Sequence, residues 1–280
     1  MRKAKERISR ETGIEISSIC GKYFLKLEHL HYGYWTGELQ EDIANLHAAQ
    51  QEYVKFLISH IPDAVKTILD VGCGTGQIAM RLLEMGYQVD CVSPSRFLAQ
   101  QTRELLGEKS NIFECRYEEL QTEKRYDLIL FAESFQYIPL EQGLKNTLRF
   151  LNDDSYMLVC DAFRKDVNGN MGLGGGHKLG SFYDAIEKYP FTLAKDIDIT
   201  QQTAPNIDIL DDAMKNVGRP VADMVLHFFS VRYSVASKFL RWKYRKKLNK
   251  LNDKYFDGRR TAENFKKFKT YRLFLYRKTT

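Results

Sequence analysis

The stretch from residue 67 to residue 77, TILDVGCGTGQ, constrains the fold more than any other part of the chain. Three apolar and partly β-branched residues, Ile68, Leu69 and Val71, predict a buried strand. A helical pattern of apolar residues follows and ends at Gly86. Three glycines join the strand to the helix at alternate positions: Gly72, Gly74 and Gly76. Because such a turn lets the backbone approach a nucleotide-like ligand closely, the stretch predicts an α/β fold with a ligand site here.

The spacing of the glycines indicates which ligand this is. Dinucleotide-binding turns have the pattern G-x-G-x-x-G, and phosphate loops contain G-K-[ST]; this chain has G-x-G-x-G after Asp70. The run LDVGCGTG resembles the first motif of class I S-adenosylmethionine (SAM) dependent methyltransferases. The resemblance implies that the turn passes under the methionine part of SAM and that Asp70 orients backbone amides and the ligand. A nicotinamide oxidoreductase is the alternative that this spacing disfavours.

An aromatic segment precedes the turn, in residues 23–35. Its core, Tyr32-Gly-Tyr-Trp35, resembles the lead-in of small-molecule methyltransferases related to sarcosine, tocopherol and cyclopropane fatty acid enzymes. In those families the N-terminal aromatic residues cover bound SAM, and a sulfonium cation is stabilised by aromatic faces in a dry pocket. Packing of these rings in the core or on a helix is the alternative.

Later strand ends complete the predicted cofactor site. A second strand over residues 87–93 ends at Ser93, where most family members have an acid; the variant resembles cyclopropane synthase-like enzymes and implies ribose contacts from Ser93 and Ser95. Arg116 follows a third strand where many relatives carry an aspartate for the adenine amino group, and Arg116 cannot accept that hydrogen bond. The predicted cofactor-binding residues are Tyr32, Tyr34, Trp35, Asp70, Gly72, Cys73, Gly74, Gly76, Gln77, Ser93, Pro94, Ser95, Arg116, Tyr117, Glu118, Ala132 and Glu133.

Four residues are candidates for the catalytic base. Glu133 ends a predicted strand over residues 126–133, and ligands of open α/β sheets bind at the carboxyl ends of strands. Tyr137 stands where many relatives have a histidine. His177 ends a glycine-rich stretch, residues 168–177, which is either a closing loop or an ordinary surface loop. His31 belongs to the aromatic segment, where a structural role is the alternative.

The remaining patterns predict a single α/β domain, residues 1–280, with a Rossmann-like seven-stranded methyltransferase sheet. Its parts are an N-terminal aromatic cap (1–60), a SAM-binding core (61–200), a helical substrate lid (201–268) and a last, antiparallel strand (269–280). Within the core, helices are predicted at 96–106 and 140–151, a turn at 152–155, and strands at 156–161 and 191–200. Within the insert, helices are predicted at 209–217 and 221–251.

Charge is distributed unevenly along the chain. Residues 231–280 hold 17 Lys/Arg and 3 Asp/Glu, whereas residues 1–230 have a net charge of −8. The basic helices of this region are either a solvated face or a docking surface for an acyl carrier protein, a phosphate group or an anionic lipid surface; RNA is the least favoured partner because no RNA-binding module accompanies the charge. No apolar stretch is long enough to span a membrane. The five scattered cysteines predict reduced thiols, a cytoplasmic protein and no metal site.

The resemblance to class I methyltransferases implies a SAM-dependent methyltransferase that acts on a small-molecule, lipid or carrier-bound acceptor by direct displacement. A D/N-P-P-Y tetrad is absent, which argues against a DNA base as acceptor. Gln136 and Tyr137 replace the Glu-His pair of cyclopropane synthases, which weakens the case for carbon methylation of a lipid. The alternative is a catalytically inactive SAM-binding regulatory or scaffold protein.

Overall fold

The structure is a computed structural model that describes residues 2–167, 174–235, 238–239, 242–246, 249, 256 and 258–279. Most of the predicted glycine-rich stretch, 168–173, and part of the predicted helix 221–251 lie outside these residues. Among the described residues, no helix is long and apolar enough to cross a membrane.

A single seven-stranded sheet carries the predicted site. Its order is β3-β2-β1-β4-β5-β7-β6, with β1 to β5 parallel and β7 antiparallel to both of its neighbours. The predicted Rossmann-like sheet with an antiparallel last strand is therefore confirmed. The strands are β1 (Thr67–Val71), β2 (Gln88–Val92), β3 (Ile112–Phe113), β4 (Tyr126–Ala132), β5 (Leu151–Arg164), β6 (Phe191–Asp198) and β7 (Lys269–Lys278).

Helices cover the sheet and build the N-terminal segment and the insert. Apolar side chains from the sheet and its helices form two core clusters, and Tyr53 and Leu57 of the second helix are fully buried in one of them. The helices are α1 (Arg2–Leu25), α2 (Leu46–Ile58), α3 (Gln77–Glu84), α4 (Arg96–Leu106), α5 (Leu140–Phe150), α6 (Leu179–Ile186), α7 (Thr200–Thr203), α8 (Pro205–Ala213), α9 (Arg219–Arg232) and α10 (Ala262–Phe268).

The prediction of a turn at residues 152–155 is wrong, because these residues belong to strand β5. Leu151 pairs with Tyr126, and Tyr156 pairs with Leu128, so the intervening residues bulge out at the start of β5. Their polar sequence gives the pattern of a turn, but the pairing on both sides of them keeps the chain in the strand. Helix α6 was not predicted; its burial of Phe182, Ala185 and Ile186 against the sheet stabilises it.

The insert between β6 and β7 starts and ends at one edge of the sheet. Strand β6 is antiparallel to β7, which is antiparallel to β5, so β6 ends at the same edge as β1, β4 and β5. Residues 199–268 therefore rise from the edge at which the glycine turn lies. Ligands of open α/β sheets bind at this carboxyl edge.

Helix α8 joins the insert to the N-terminal segment. Asn206 is buried and bonds the Gly33 backbone in both directions, since its Nδ2 donates to the Gly33 carbonyl and its Oδ1 accepts from the Gly33 N–H, each at 2.8 Å. The next turn, Met214–Gly218, is a π-helix, and α9 beyond it exposes nearly all of its side chains to solvent.

Candidate functional site

The glycine turn after β1 has the conformation that its sequence predicts. All three glycines have positive φ angles, +77°, +57° and +83° for Gly72, Gly74 and Gly76. A Cβ atom at Gly76 would lie 2.8 Å from Thr102 Cγ2, whereas one at Gly74 would meet nothing within 4 Å. Gly74 therefore borders open space at the carboxyl edge. Because no side chain covers the backbone at this position, a ligand can approach it closely.

Asp70 lies beneath this turn in the last part of β1. Its side chain is 1% exposed, and its Oδ2 has no hydrogen-bond partner among the described residues. Burial raises the pKa of this carboxyl to about 7. An unpaired buried carboxylate oxygen is costly, so its presence beside an open turn is typical of a group that acts on a ligand.

We expect Asp70→Asn to stabilise the ligand-free protein more at pH 8 than at pH 5. The folded-state pKa lies above the ordinary value of 3.8, so this carboxyl makes stability fall as pH rises from about 4 to about 7. An asparagine does not titrate, and the stabilisation gained should differ between the two pH values by on the order of 2 kcal/mol. Urea unfolding of both proteins at both pH values measures this. An equal effect of the substitution at the two pH values would contradict the assigned pKa.

The aromatic segment crosses the carboxyl edge next to the turn. The Tyr32 N–H donates to Glu133 Oε1 at 2.7 Å, and the Tyr34 ring stacks on Phe56 with centroids 4.8 Å apart. Trp35 is 4% exposed, and its indole nitrogen has no partner among the described residues. The structure thus brings the segment to the predicted site, where most of its rings also pack in the core.

Glu133 stands at the end of β4, at the meeting point of the segment and the sheet. Its Oε1 accepts hydrogen bonds from the Tyr32 N–H and the Tyr271 hydroxyl, both at 2.7 Å, and no bond to Oε2 is present in the described part of the chain. Burial, supported by the charge of Asp161, raises the pKa of Glu133 to about 8. Its φ of +54° is rare for a residue with a side chain. Such strain at a strand end is typical of functional sites.

Three further residues at this edge were not predicted as site residues: Asp161, Lys269 and Tyr271. Asp161 is 1% exposed at the end part of β5 and accepts from the Gln136 N–H at 2.9 Å; burial raises its pKa to about 7. Lys269 is 6% exposed at the start of β7, and burial lowers its pKa despite the charges of Asp161 and Glu133. The strand-end rule that predicts Glu133 also applies to Asp161. No local pattern marks the start of β7.

The residues predicted to contact the ribose and the adenine of SAM lie just after the ends of β2 and β3. Ser93 and Ser95 are both buried, and the Ser95 hydroxyl caps α4 by accepting from the Leu98 N–H at 3.4 Å. Arg116 extends outward and pairs with Glu118 at 3.2 Å. Tyr117 lies in the core, and its hydroxyl is 3.1 Å from that of Thr147. Its ring therefore packs in the interior of the protein.

The two candidate histidines have structural partners. His31 is 8% exposed and stacks on Tyr53, and its Nδ1 donates to the Tyr32 carbonyl at 2.8 Å; burial lowers its pKa to about 3, so it stays neutral. His177 Nε2 donates to the backbone carbonyls of Phe135 and Ile138. Burial lowers the pKa of His177 as well. Both histidines use a ring nitrogen to hold backbone carbonyls, which indicates structural roles.

Tyr137 is the remaining catalytic candidate. It follows the end of β4 in a short 3₁₀ turn, Phe135–Tyr137, and its side chain is 59% exposed. Glu133 combines a raised pKa with a carboxyl that two hydrogen bonds hold at the carboxyl edge.

Comparison with known proteins identifies the family. A family model described as a methyltransferase domain matches residues 68–154. A ubiquinone biosynthesis O-methyltransferase of Rickettsia felis is 24% identical over 232 residues, which cover 76% of this chain and 93% of that protein. The chain is a class I SAM-dependent methyltransferase. The family match covers β1 to the start of β5 in this methyltransferase, which is the half of the sheet that carries the glycine turn and Glu133.

Solved structures share the fold of this methyltransferase at low identity. A geranyl diphosphate C-methyltransferase from Streptomyces coelicolor, solved with S-adenosylhomocysteine, aligns with a TM-score of 0.64 at 16% identity and covers 95% of this chain and 92% of its own. The [4+2]-cyclase SpnF aligns with a TM-score of 0.66 at 15% identity and covers 96% and 97%. A cyclase on this fold shows that the fold alone does not fix the reaction.

The residues at the turn fit the cofactor of this methyltransferase. SAM carries a sulfonium, an ammonium and a carboxylate group. The bare backbone at Gly74 leaves room for the ligand, and the unpaired Asp70 Oδ2 beneath it offers an acceptor or a negative charge. The N-terminus of α3, which begins at Gln77, suits the carboxylate.

Proposed function

We propose that this methyltransferase methylates an oxygen atom of a small-molecule acceptor, with Glu133 as the general base. The observation that carries the proposal is the state of the Glu133 carboxyl. One oxygen is held by two donors at 2.7 Å, the other has no hydrogen bond in the described residues, and the pKa is raised to about 8. A carboxyl with these properties is placed to take a proton near neutral pH.

The chemistry requires little else from the protein. SAM supplies a methyl group on a positively charged sulfur, which is already activated for transfer. The chain aligns the acceptor with that methyl group, excludes water and removes the proton of the acceptor hydroxyl. Hydrogen bonds from Tyr32 and Tyr271 fix the Glu133 carboxyl, and the N-terminal segment lies over it. We propose the helical insert, residues 201–268, as the lid.

The acceptor class that we propose is a phenol with a lipid-like body. The Rickettsia felis relative is named for O-methylation in ubiquinone biosynthesis, and it covers most of this chain. The buried residues Asp161, Lys269 and Tyr271 place further polar groups near Glu133, which suits an acceptor that carries hydroxyl groups. Carrier-bound acyl groups are the alternative acceptor class, and a cytoplasmic location remains part of this proposal.

Transfer of labelled methyl groups from SAM tests the acceptor. Full-length protein is incubated with ortho-dihydroxybenzenes that carry alkyl chains, with amines of similar size, and with acyl carrier protein loaded with a carboxylic acyl group. We expect label in the phenols, at an ether oxygen identified by NMR. Label confined to amines, to carbon atoms or to the carrier-bound acyl group would refute the proposal.

A further inference from the structure

Helix α9 of the insert exposes apolar side chains to solvent along most of its length. Seven large apolar residues of α9 are between 40% and 71% exposed: Val221, Met224, Val225, Leu226, Phe228, Phe229 and Val231. Spacings of three, four and seven residues place most of them on one side of the helix. Singly exposed apolar side chains are ordinary, but a continuous stripe of this kind indicates an interaction surface.

A basic and aromatic segment follows α9 in the sequence. The described residues beyond α9 are helical at 238–239 and 242–246, and their side chains are exposed. Phe239 and Trp242 are 55% and 72% exposed. They alternate with four exposed cations, Lys238, Lys243, Arg245 and Lys246. Apolar and aromatic anchors interleaved with Lys and Arg are typical of a helix that lies in the headgroup region of an anionic membrane.

We propose that α9 and the described residues 238–239 and 242–246 bind the surface of a membrane that contains anionic lipid. The charge of the surface selects this partner. From residue 219 to 249 the described residues include six Lys or Arg and a single acid, Asp223. Two copies of the chain would bring these cations face to face, and lysine is depleted in protein interfaces. An anionic bilayer matches both the charge and the apolar stripe.

The anchoring of the insert places this surface at the reactive edge. Helix α8 is fixed to the N-terminal segment by Asn206, which bonds the Gly33 backbone, and to α10 by Asp208, whose Oδ1 accepts from the Ala262 N–H at 2.8 Å. The insert leaves and re-enters the sheet at the edge that carries Glu133. A membrane held by α9 therefore lies on the side from which an acceptor reaches the site. The membrane contact itself does not depend on the acceptor that we propose.

Co-sedimentation of the full-length protein with vesicles tests the proposal. We expect binding to vesicles of phosphatidylcholine and phosphatidylglycerol, and much weaker binding to phosphatidylcholine alone. The triple variant Lys243→Glu/Arg245→Glu/Lys246→Glu should lower partitioning onto the anionic vesicles by on the order of 100-fold. The double variant Phe228→Ser/Phe229→Ser should lower it at least about tenfold by removing apolar anchors.

Matched controls come from exposed residues elsewhere in the chain. Lys145→Glu on α5 and Met85→Ser after α3 change similar side chains and should leave partitioning unchanged. SAM binding is measured in the same variants to confirm that each one is folded. This measurement does not depend on the identity of the acceptor. The proposal is overturned if the wild-type protein binds neither vesicle or if both variants bind like the wild type. It is also overturned if sedimentation velocity shows a dimer that Phe228→Ser/Phe229→Ser dissociates.

Discussion

Glu133→Gln lowers kcat by on the order of 10²- to 10⁴-fold, the usual contribution of a positioned base. Glutamine keeps the side-chain length and an oxygen that accepts from the Tyr32 N–H and the Tyr271 hydroxyl, but it cannot take a proton. The melting temperature should not fall, because the wild-type carboxyl is largely protonated at neutral pH and glutamine resembles that form. Steady-state kinetics with the best phenolic acceptor, together with thermal melting, measure both quantities.

The effects of Glu133→Gln on kcat and on SAM affinity show whether Glu133 acts as a base or as a ligand of the cofactor. If Glu133 acts on the acceptor, the dissociation constant for SAM stays within a few-fold of the wild-type value. Glu114→Gln is the matched control, since Glu114 lies just after β3, pairs with Arg103 and takes no part in the proposed reaction. An unchanged kcat combined with a large loss of SAM affinity would assign Glu133 to the cofactor instead.

Gly74→Asn weakens SAM binding by about 10- to 100-fold, which corresponds to 1–3 kcal/mol of steric conflict with the ligand. A side chain at this position would enter open space, because a Cβ at Gly74 meets no protein atom within 4 Å. Asparagine is chosen because it tolerates a φ of +57°, at which a β-branched residue is strained. The melting temperature of the cofactor-free protein should change by only about 2–4 °C. Calorimetric titration with SAM measures the affinity.

Gly86→Asn is the matched control for this substitution. Gly86 follows α3 with a φ of +93°, and a Cβ there also meets nothing within 4 Å. It is separated from the turn by the length of α3, so the same chemical change should leave SAM affinity unaltered. Equal losses of affinity in the two variants, or wild-type affinity in Gly74→Asn, would contradict the position of the cofactor.

The parts of the fold that local patterns specify were predictable from the sequence. Buried parallel strands appear as short apolar runs, and this pattern located β1, β2 and β4 within one or two residues of their observed bounds. The glycine turn was predictable because its three positive φ angles require glycine. Residues 152–155 show the limit of such patterns, since their polar sequence is typical of a turn while the pairing of the flanking residues decides the structure.

Residues of the site that depend on long-range contacts were harder to predict. Tyr271 lies 138 positions from Glu133 in sequence, and only the pairing of β7 with β5 brings its hydroxyl to that carboxyl. Lys269 is placed in the same way. His31 had a plausible position for a base, but stacking against Tyr53 and burial decide its protonation state. Such effects become visible only when the elements are packed together.

The pH dependence of kcat/KM for a phenolic acceptor, at saturating SAM, tests the central claim most directly. The account predicts that the wild-type value rises with pH, bends near pH 8 and levels off above it, where the Glu133 carboxyl has lost its proton. For Glu133→Gln it predicts a low value that continues to rise towards the pKa of the phenol itself. Identical profiles for the two proteins would contradict the assignment of Glu133 as the base.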